Sequence, residues 1–266
     1  MTGRVPPRHY RRPVDPDALL MLCREAADAA ADVVTGAIPF GLSGVRPGQY
    51  VADLHADEAA LEVLRKANLG ILSEESGLER GDSDLVVVLD PLDGSTNASR
   101  GIPWYATSLC VVDRDGPLVA LVLDHVTGTT FTAQRGAGAY RDHLGTLDPF
   151  GEGHEPPPPW EEALVGLSGL PPEHLGWGQF RAFGAVALDL CMVACGVLDA
   201  YIDCSFDAHG PWDYLGGLLI CAEVGIPVVD ALGRDLVTLD PAARRTPVAA
   251  RPELLPAALA ARRRFS

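Results

Sequence analysis

Apolar positions fall at helical spacing over residues 15–34 (Leu19, Leu22, Cys23, Ala26, Ala30, Val33). Asp15 is placed as an N-cap and Pro16 at the first helical position. Residues 36–49, rich in Gly and Pro, read as a loop. A second helix is predicted over 57–66, ending near Asn68-Leu69-Gly70. Ile71-Leu72 then makes a short strand that runs out into the polar turn Ser73-Glu74-Glu75-Ser76-Gly77. Residues 85–89 are a continuous β-branched run, the mark of a strand covered on both faces, and Asp90-Pro91 is expected to end it. Further strands are predicted over 106–113, 118–124 and 129–133, with Asp115-Gly116 as the turn between the first two. Beyond a Pro-rich linker at 155–159, the pattern gives a strand over 163–167, a helix over 185–195, a strand over 199–203 and a helix over 211–223. A strand over 226–229, a short strand near Val248 and a last helix after Pro252 complete it. No repeat is evident. Strands and helices in mixed order imply an α/β or α+β layered sandwich, not a barrel. The expected organisation is one domain over 1–266, with lobes of about 1–150 and 160–266 joined by the linker.

Composition narrows the function. Of 266 residues 47% are apolar and 21% charged, which supports a packed core and excludes a disordered or fibrous chain. With 21 basic against 36 acidic residues the net charge is −15, a poor match for a nucleic-acid backbone. No apolar run reaches the ~20 residues needed to span a bilayer, and the longest, 186–198, carries Asp189 inside it. The basic N-terminus lacks the apolar stretch of a secretory signal, so a cytoplasmic protein is expected. Cys23, Cys110, Cys191, Cys195, Cys204 and Cys221 stand singly in apolar surroundings and read as buried free thiols. Cys191 and Cys195, four apart on a helix, are expected to pack in the core, His125 to be structural, and Arg262-Arg263-Arg264 to be a solvated tail.

The informative segment is Asp90-Pro91-Leu92-Asp93-Gly94-Ser95-Thr96-Asn97. Once the chain turns at Pro91, Asp90 and Asp93 can converge instead of alternating across a sheet. Two close carboxylates repel, and a divalent cation removes that penalty. Gly94 lets backbone approach a ligand, while Ser95-Thr96-Asn97 presents consecutive N–H groups and hydroxyls. An anion cradle beside a cation site is what phosphoryl chemistry requires. Oxygen donors without histidine suit Mg²⁺ better than zinc. Taken alone, the segment is equally an ordinary Asp-Pro-Gly turn. That reading weakens because Glu74-Glu75 sits at another strand exit and Asp213 opens a helix after Pro211-Trp212.

These residues carry a family resemblance. Asp90 to Asn97 (DPLDGSTN) resembles the D-P-[IL]-D-G-[ST]-[ST]-N signature of the inositol monophosphatase family. Glu74-Glu75-Ser76 resembles its G-E-E-S element, with Ser73 where Gly is usual, and Pro211 to Gly217 (PWDYLGG) resembles its second signature. Arg181 to Ala185 and Asp199-Ala200-Tyr201 resemble two further elements, in order, over about residues 15–260. The resemblance implies a layered αβαβα sandwich of the inositol monophosphatase and fructose-1,6-bisphosphatase type. It also implies a phosphomonoesterase dependent on two or three Mg²⁺ ions, inhibited by Li⁺ and commonly homodimeric. Carried over by position, Glu74, Asp90 and the Leu92 carbonyl correspond to ligands of a first metal, and Asp90, Asp93 and Asp213 to those of a second. Gly94, Ser95 and Thr96 correspond to phosphate contacts, and Asp93, Ala185, Asp203 and Asp213 to substrate contacts. Glu74 and Ser95 correspond to the groups that position the attacking water, and an aspartate of the second helix, Asp57 or alternatively Asp53, orients it.

Two departures bear on the substrate. The loop before the second helix lacks the family's usual lysine, with Arg46 the nearest cation, and the chain between Asp203 and Asp213 is longer than usual and includes His209. Three readings stand: an inositol monophosphatase; the same chemistry on histidinol phosphate, fructose 1,6-bisphosphate or 3′-phosphoadenosine 5′-phosphate; and a catalytically silent cation-binding scaffold. No metal carboxylate is missing, which weighs against the third. Haloacid-dehalogenase chemistry needs D-x-D, and the P-loop pattern is absent.

Overall fold

The computed structural model describes residues 15–36, 40–151 and 156–265. The basic N-terminal segment up to residue 14, positions 37–39 of the predicted loop and Glu155 at the head of the linker lie outside the described residues. Helix α1 (Pro16–Val34) begins where its cap predicts, the Asp15 carboxylate accepting from the Asp17 amide. Helix α2 (Val51–Leu64) starts six residues before the expected 57, because Asp53 reaches back to the Tyr50 amide at 2.8 Å and stabilises an earlier first turn.

Strands β1 (Gly70–Ser73), β2 (Gly77–Glu79) and β3 (Val86–Asp93) follow, then the short helix α3 (Ser95–Arg100). Next come β4 (Ala106–Asp113), β5 (Gly116–Asp124), β6 (Thr130–Gln134), β7 (Gly138–His143) and β8 (Thr146–Pro149). These strands form one sheet in the order β2-β1-β3-β4-β5-β6-β7-β8. The expected strand end at Asp90-Pro91 is corrected. β3 continues to Asp93 because Pro91 sits in a bulge, where the register with β4 slips between Asp90↔Ser108 and Asp93↔Ala106. A bulge excuses proline from donating to the ladder, and here the Pro91 carbonyl is taken by the Thr107 hydroxyl at 2.8 Å.

The second sheet holds β9 (Leu164–Ser168), β10 (Gln179–Arg181), β11 (Ala200–Asp203), β12 (Val228–Asp230) and β13 (Pro247–Ala250), ordered β10-β9-β11-β13-β12. Helices α4 (Val186–Ala194) and α5 (Pro211–Glu223) lie between the sheets, and α6 (Leu255–Arg263) covers the outer face of the second. Alternation along the strands builds the layers. Val87, Leu89, Leu109, Val111 and Leu121 face α1 and α2, while Val88, Cys110, Ala120 and Val122 face α4 and α5. On the far side Val165, Leu167, Ile202 and Val248 pack with Ala258 of α6. The result is the expected αβαβα sandwich. Cys191 is buried in the central layer, and no described helix is long and apolar enough to cross a membrane. The expected solvated arginine tail is corrected at its first residue: Arg262 belongs to α6 and is only 1% exposed, while Arg263 and Arg264 are exposed.

Candidate active site

Three chain segments deliver acids to one place. Glu74 follows the end of β1, Asp90 and Asp93 flank the β3 bulge, and Asp213 lies in the first turn of α5. One oxygen from each of Glu74, Asp90 and Asp213 lies within 4.8 Å of the others. The three aspartates are each held by a backbone amide. Asp90 accepts from the Leu92 amide at 3.0 Å, Asp93 from the Ala187 amide at 2.7 Å, and Asp213 from the Gly210 amide at 2.6 Å. Leu92 turns its side chain into the core beneath α1 and α2. Burial, and then the neighbouring negative charges, push Glu74 and Asp90 well above the usual carboxylate range. Asp93 rises to about 7 for the same reasons, with Asp213 the main repelling charge. A partly buried set of hard oxygen donors at mutual cost fits a divalent cation of the Mg²⁺ type, which would replace repulsion by attraction.

Beside the acids, Gly94 takes φ +85° and starts α3 at Ser95. A Cβ on Gly94 would come within 2.9 Å of the Trp104 carbonyl and 3.1 Å of the Ala185 Cβ, so glycine is required there. The amides of Ser95 and Thr96 have no acceptor within their own helix, being in its first turn. The Asn97 side chain points elsewhere: its amide donates to the carbonyls of Trp104 and Phe183 at 2.8 and 2.7 Å, tying α3 to the loop that ends in Ala185, the N-cap of α4.

The two candidate aspartates of α2 differ. Asp57 is engaged on both oxygens by the hydroxyls of Ser73 and Ser76. Asp53 keeps one buried oxygen with no partner, and its charge acts on Glu74; burial raises its pKa to about 6. Glu75 stands apart from the acid cluster, paired with Arg46 and Gln49 of the preceding loop. Arg46 also donates to the Glu74 carbonyl at 3.3 Å.

On the α5 side, Asp203 is fully buried at the end of β11, accepting from the Ser205 amide at 2.8 Å and leaving its second oxygen without a partner. His209 bridges toward both Asp203 (3.6 Å) and Asp213 (3.7 Å), which raises its pKa to about 10 despite burial. His125, expected to be satisfied, bonds Thr107 at 2.9 Å through one nitrogen while the other is buried unpaired.

Sequence reasoning missed Asp189, seen only as an interruption of an apolar run. It accepts from the Trp104 indole at 2.9 Å and so steadies the carbonyl that closes on Gly94. An acid in the first turn of an otherwise apolar helix was the available signal.

A layered sandwich with a partly buried, oxygen-rich acid cluster next to the first turn of α3 fits a phosphatase. The family model for the inositol monophosphatase family matches residues 17–266, and the chain belongs to that family. Nus factor SuhB of Xylella fastidiosa (strain Temecula1) is 33% identical over 206 residues, 72% of each chain. The fructose-1,6-bisphosphatase/inositol-1-monophosphatase of Archaeoglobus fulgidus is 34% identical over 189 residues, 70% of this chain and 71% of that one. The structure of extragenic suppressor protein SuhB from Bartonella henselae superposes with a TM-score of 0.75 at 25% identity, covering 94% of this chain and 100% of that one.

Proposed function

We propose that this phosphatase hydrolyses the phosphomonoester of a small polyol, inositol 1-phosphate foremost, with two or three Mg²⁺ ions held by Glu74, Asp90, the Leu92 carbonyl, Asp93 and Asp213. The observation that carries the reading is the approach of the Glu74, Asp90 and Asp213 oxygens to within 4.8 Å beside the Gly94 turn. Bound there, the cations supply the positive charge that activates water near neutral pH and steadies the departing alkoxide.

The chain's own groups do the rest. The Gly94, Ser95 and Thr96 backbone cradles phosphate oxygens, and Ala185 closes the same wall. Glu74 and Ser95 orient the attacking water in line with the scissile bond, so no covalent phospho-enzyme forms. Asp53, with its open oxygen, is better placed than Asp57 to hold that water's second proton. Asp203 faces the alcohol side, near His209. By the same reading the enzyme is a cytoplasmic, Li⁺-sensitive homodimer whose −15 charge keeps it off nucleic acid.

A second reading, fructose 1,6-bisphosphate as substrate, draws on the Archaeoglobus fulgidus relative, whose name carries both activities. Phosphate release from inositol 1-phosphate, fructose 1,6-bisphosphate, histidinol phosphate and 3′-phosphoadenosine 5′-phosphate separates the two, assayed with Mg²⁺, with added Li⁺ and with Asp93→Asn. The reading requires Mg²⁺-dependent turnover, Li⁺ inhibition and loss of at least about a hundredfold in kcat for the variant. Full activity in Asp93→Asn overturns the metal assignment, and turnover of the bisphosphate alone favours the second reading.

A further inference from the structure

We propose that Arg262, on the C-terminal helix, is a positioning residue that sets discrimination among substrate alcohols by fixing the loop between Asp203 and His209. The inference rests on the phosphatase reading above. Arg262 is 1% exposed, although it opens a triplet of arginines whose other two members reach solvent. Its guanidinium donates to the Asp203 carbonyl at 2.7 Å and to the Ser205 carbonyl at 3.0 Å. It lies over the Phe206 ring at 5.4 Å and the Phe265 ring at 4.5 Å. Burying a guanidinium costs free energy unless its donors find acceptors, so this side chain is committed to the two carbonyls it grips.

Those carbonyls belong to the loop that joins β11 to α5 and forms the wall facing the alcohol. Asp203 carries the carboxylate, Ser205 bonds it, Phe206 is 72% exposed at the rim, and His209 spans Asp203 and Asp213. The loop's two ends are fixed independently. At the α5 end, Gly210 caps onto Asp213 and the Arg245 amide donates to the His209 carbonyl at 2.8 Å. At the β11 end Arg262 holds the turn. Cys204 is also tied down, its amide donating to the Ser168 carbonyl at 2.6 Å, and His209 contacts the Ser168 hydroxyl at 3.2 Å. Residues 205–208 between these anchors have the exposed Arg234–Asp207 pair besides Arg262, and exposed pairs contribute little. Losing Arg262 therefore loosens residues 205–208 while β11, Cys204 and the acid cluster stay in place. Recognition of the alcohol suffers; cation binding does not.

The test compares Arg262→Gln, Arg262→Lys and the same-helix control Arg263→Ala in the full chain. Hydrogen exchange of the 205–208 amides reads the loop directly. The ratio of kcat/KM for the preferred polyol phosphate to that for p-nitrophenyl phosphate reads discrimination, and half-saturation by Mg²⁺ reads the acid cluster. For Arg262→Gln we expect exchange about tenfold faster and the ratio about tenfold lower, through KM, with Mg²⁺ half-saturation unchanged. Lysine, able to reach one carbonyl, falls between, and Arg263→Ala matches the parent. An unchanged ratio and unchanged exchange in a folded Arg262 variant overturn the proposal, as does a shift in Mg²⁺ half-saturation of the same size. Should Arg262→Gln fail to fold, the lysine variant decides by the same readouts. If the parent hydrolyses no phosphomonoester, the functional reading fails on its own, and loop exchange still reports whether Arg262 holds the turn.

Discussion

Glu74, Asp90 and Asp93 are held in the native pocket at pKa values above those of free carboxylates, and the sign of that shift fixes how the metal-free protein responds to pH. An acid whose native pKa is raised costs nothing below its unfolded pKa, where it is protonated in both states. As pH rises, the unfolded chain releases the proton and the native state keeps it until its own higher pKa, so stability is lost up to and through that value. Asp93 moves from 3.8 to about 7 and Asp53 to about 6, so both destabilise as pH climbs toward neutrality. His209, raised to about 10, works in the same direction above its unfolded value of 6.5. His125, depressed to about 4 by burial, works in the opposite direction, but only below 6.5. The clean window is therefore pH 6.5 to 8. There we expect the Tm of the chelator-treated protein to fall by on the order of 5 °C, with Mg²⁺ raising it more at pH 8 than at pH 6. Calorimetry with and without Mg²⁺ checks this, and a metal-free Tm that climbs across the window contradicts the clustering of these acids.

At the scale of elements, the turn from β3 into α3 forms the phosphate side of the pocket on the proposed reading, with Gly94 at its bend. Alanine there faces both φ +85° and the Trp104 carbonyl 2.9 Å from its Cβ. We expect Gly94→Ala to lose about 1–3 kcal/mol of stability by urea titration. On the proposed reading its kcat should fall at least about a hundredfold even where it remains folded, because the displaced amides are the ones proposed to cradle phosphate. This turn also shows what the sequence could and could not disclose. Glu74, Asp90 and Asp213, whose oxygens approach one another, were legible as acids able to converge because such groups at strand exits and a helix start have no packing reason to be there. α1, β4 and α5 were legible within two residues at each end because periodicity and caps agree. The β3 bulge was not, since nothing in Asp90-Pro91 distinguishes a strand end from a bulge until β4 supplies the partner register. β8 and β10 are exposed at every residue and carry no apolar signature, and the six-residue α3 is too short for one. Arg262 was hidden by its neighbours, because three consecutive arginines read as a solvated tail until the helix turns one of them inward.

For the whole molecule, the relevant fact is that α4 and α5 serve both sheets at once. A single buried cluster runs from Val88, Cys110 and Val122 of the first sheet through Leu188, Leu190, Leu215 and Ile220 to Tyr201 and Ala249 of the second. The clustered acids come from the first sheet and from α5, so their pocket is only as stable as that shared layer. The Gly216-Gly217 pair makes the layer thin enough: a Cβ at 216 would lie 2.6 Å from the Ser108 hydroxyl, and one at 217 would lie 2.6 Å from the Leu190 Cβ. We propose on this basis that the chain is one domain and not two independently folding lobes. The expected behaviour is a single cooperative transition, with calorimetric and van't Hoff enthalpies equal. Gly217→Ala should lower the stability of both sheets together by about 1–3 kcal/mol, since overpacking at Leu190 pushes α5 away from α4 within the layer that both sheets need. Hydrogen exchange resolves the sheets separately: β4 and β11 amides should lose protection by the same amount in the variant. If β4 loses protection while β11 keeps it, the lobes fold on their own and the acid pocket draws its rigidity from the first sheet alone.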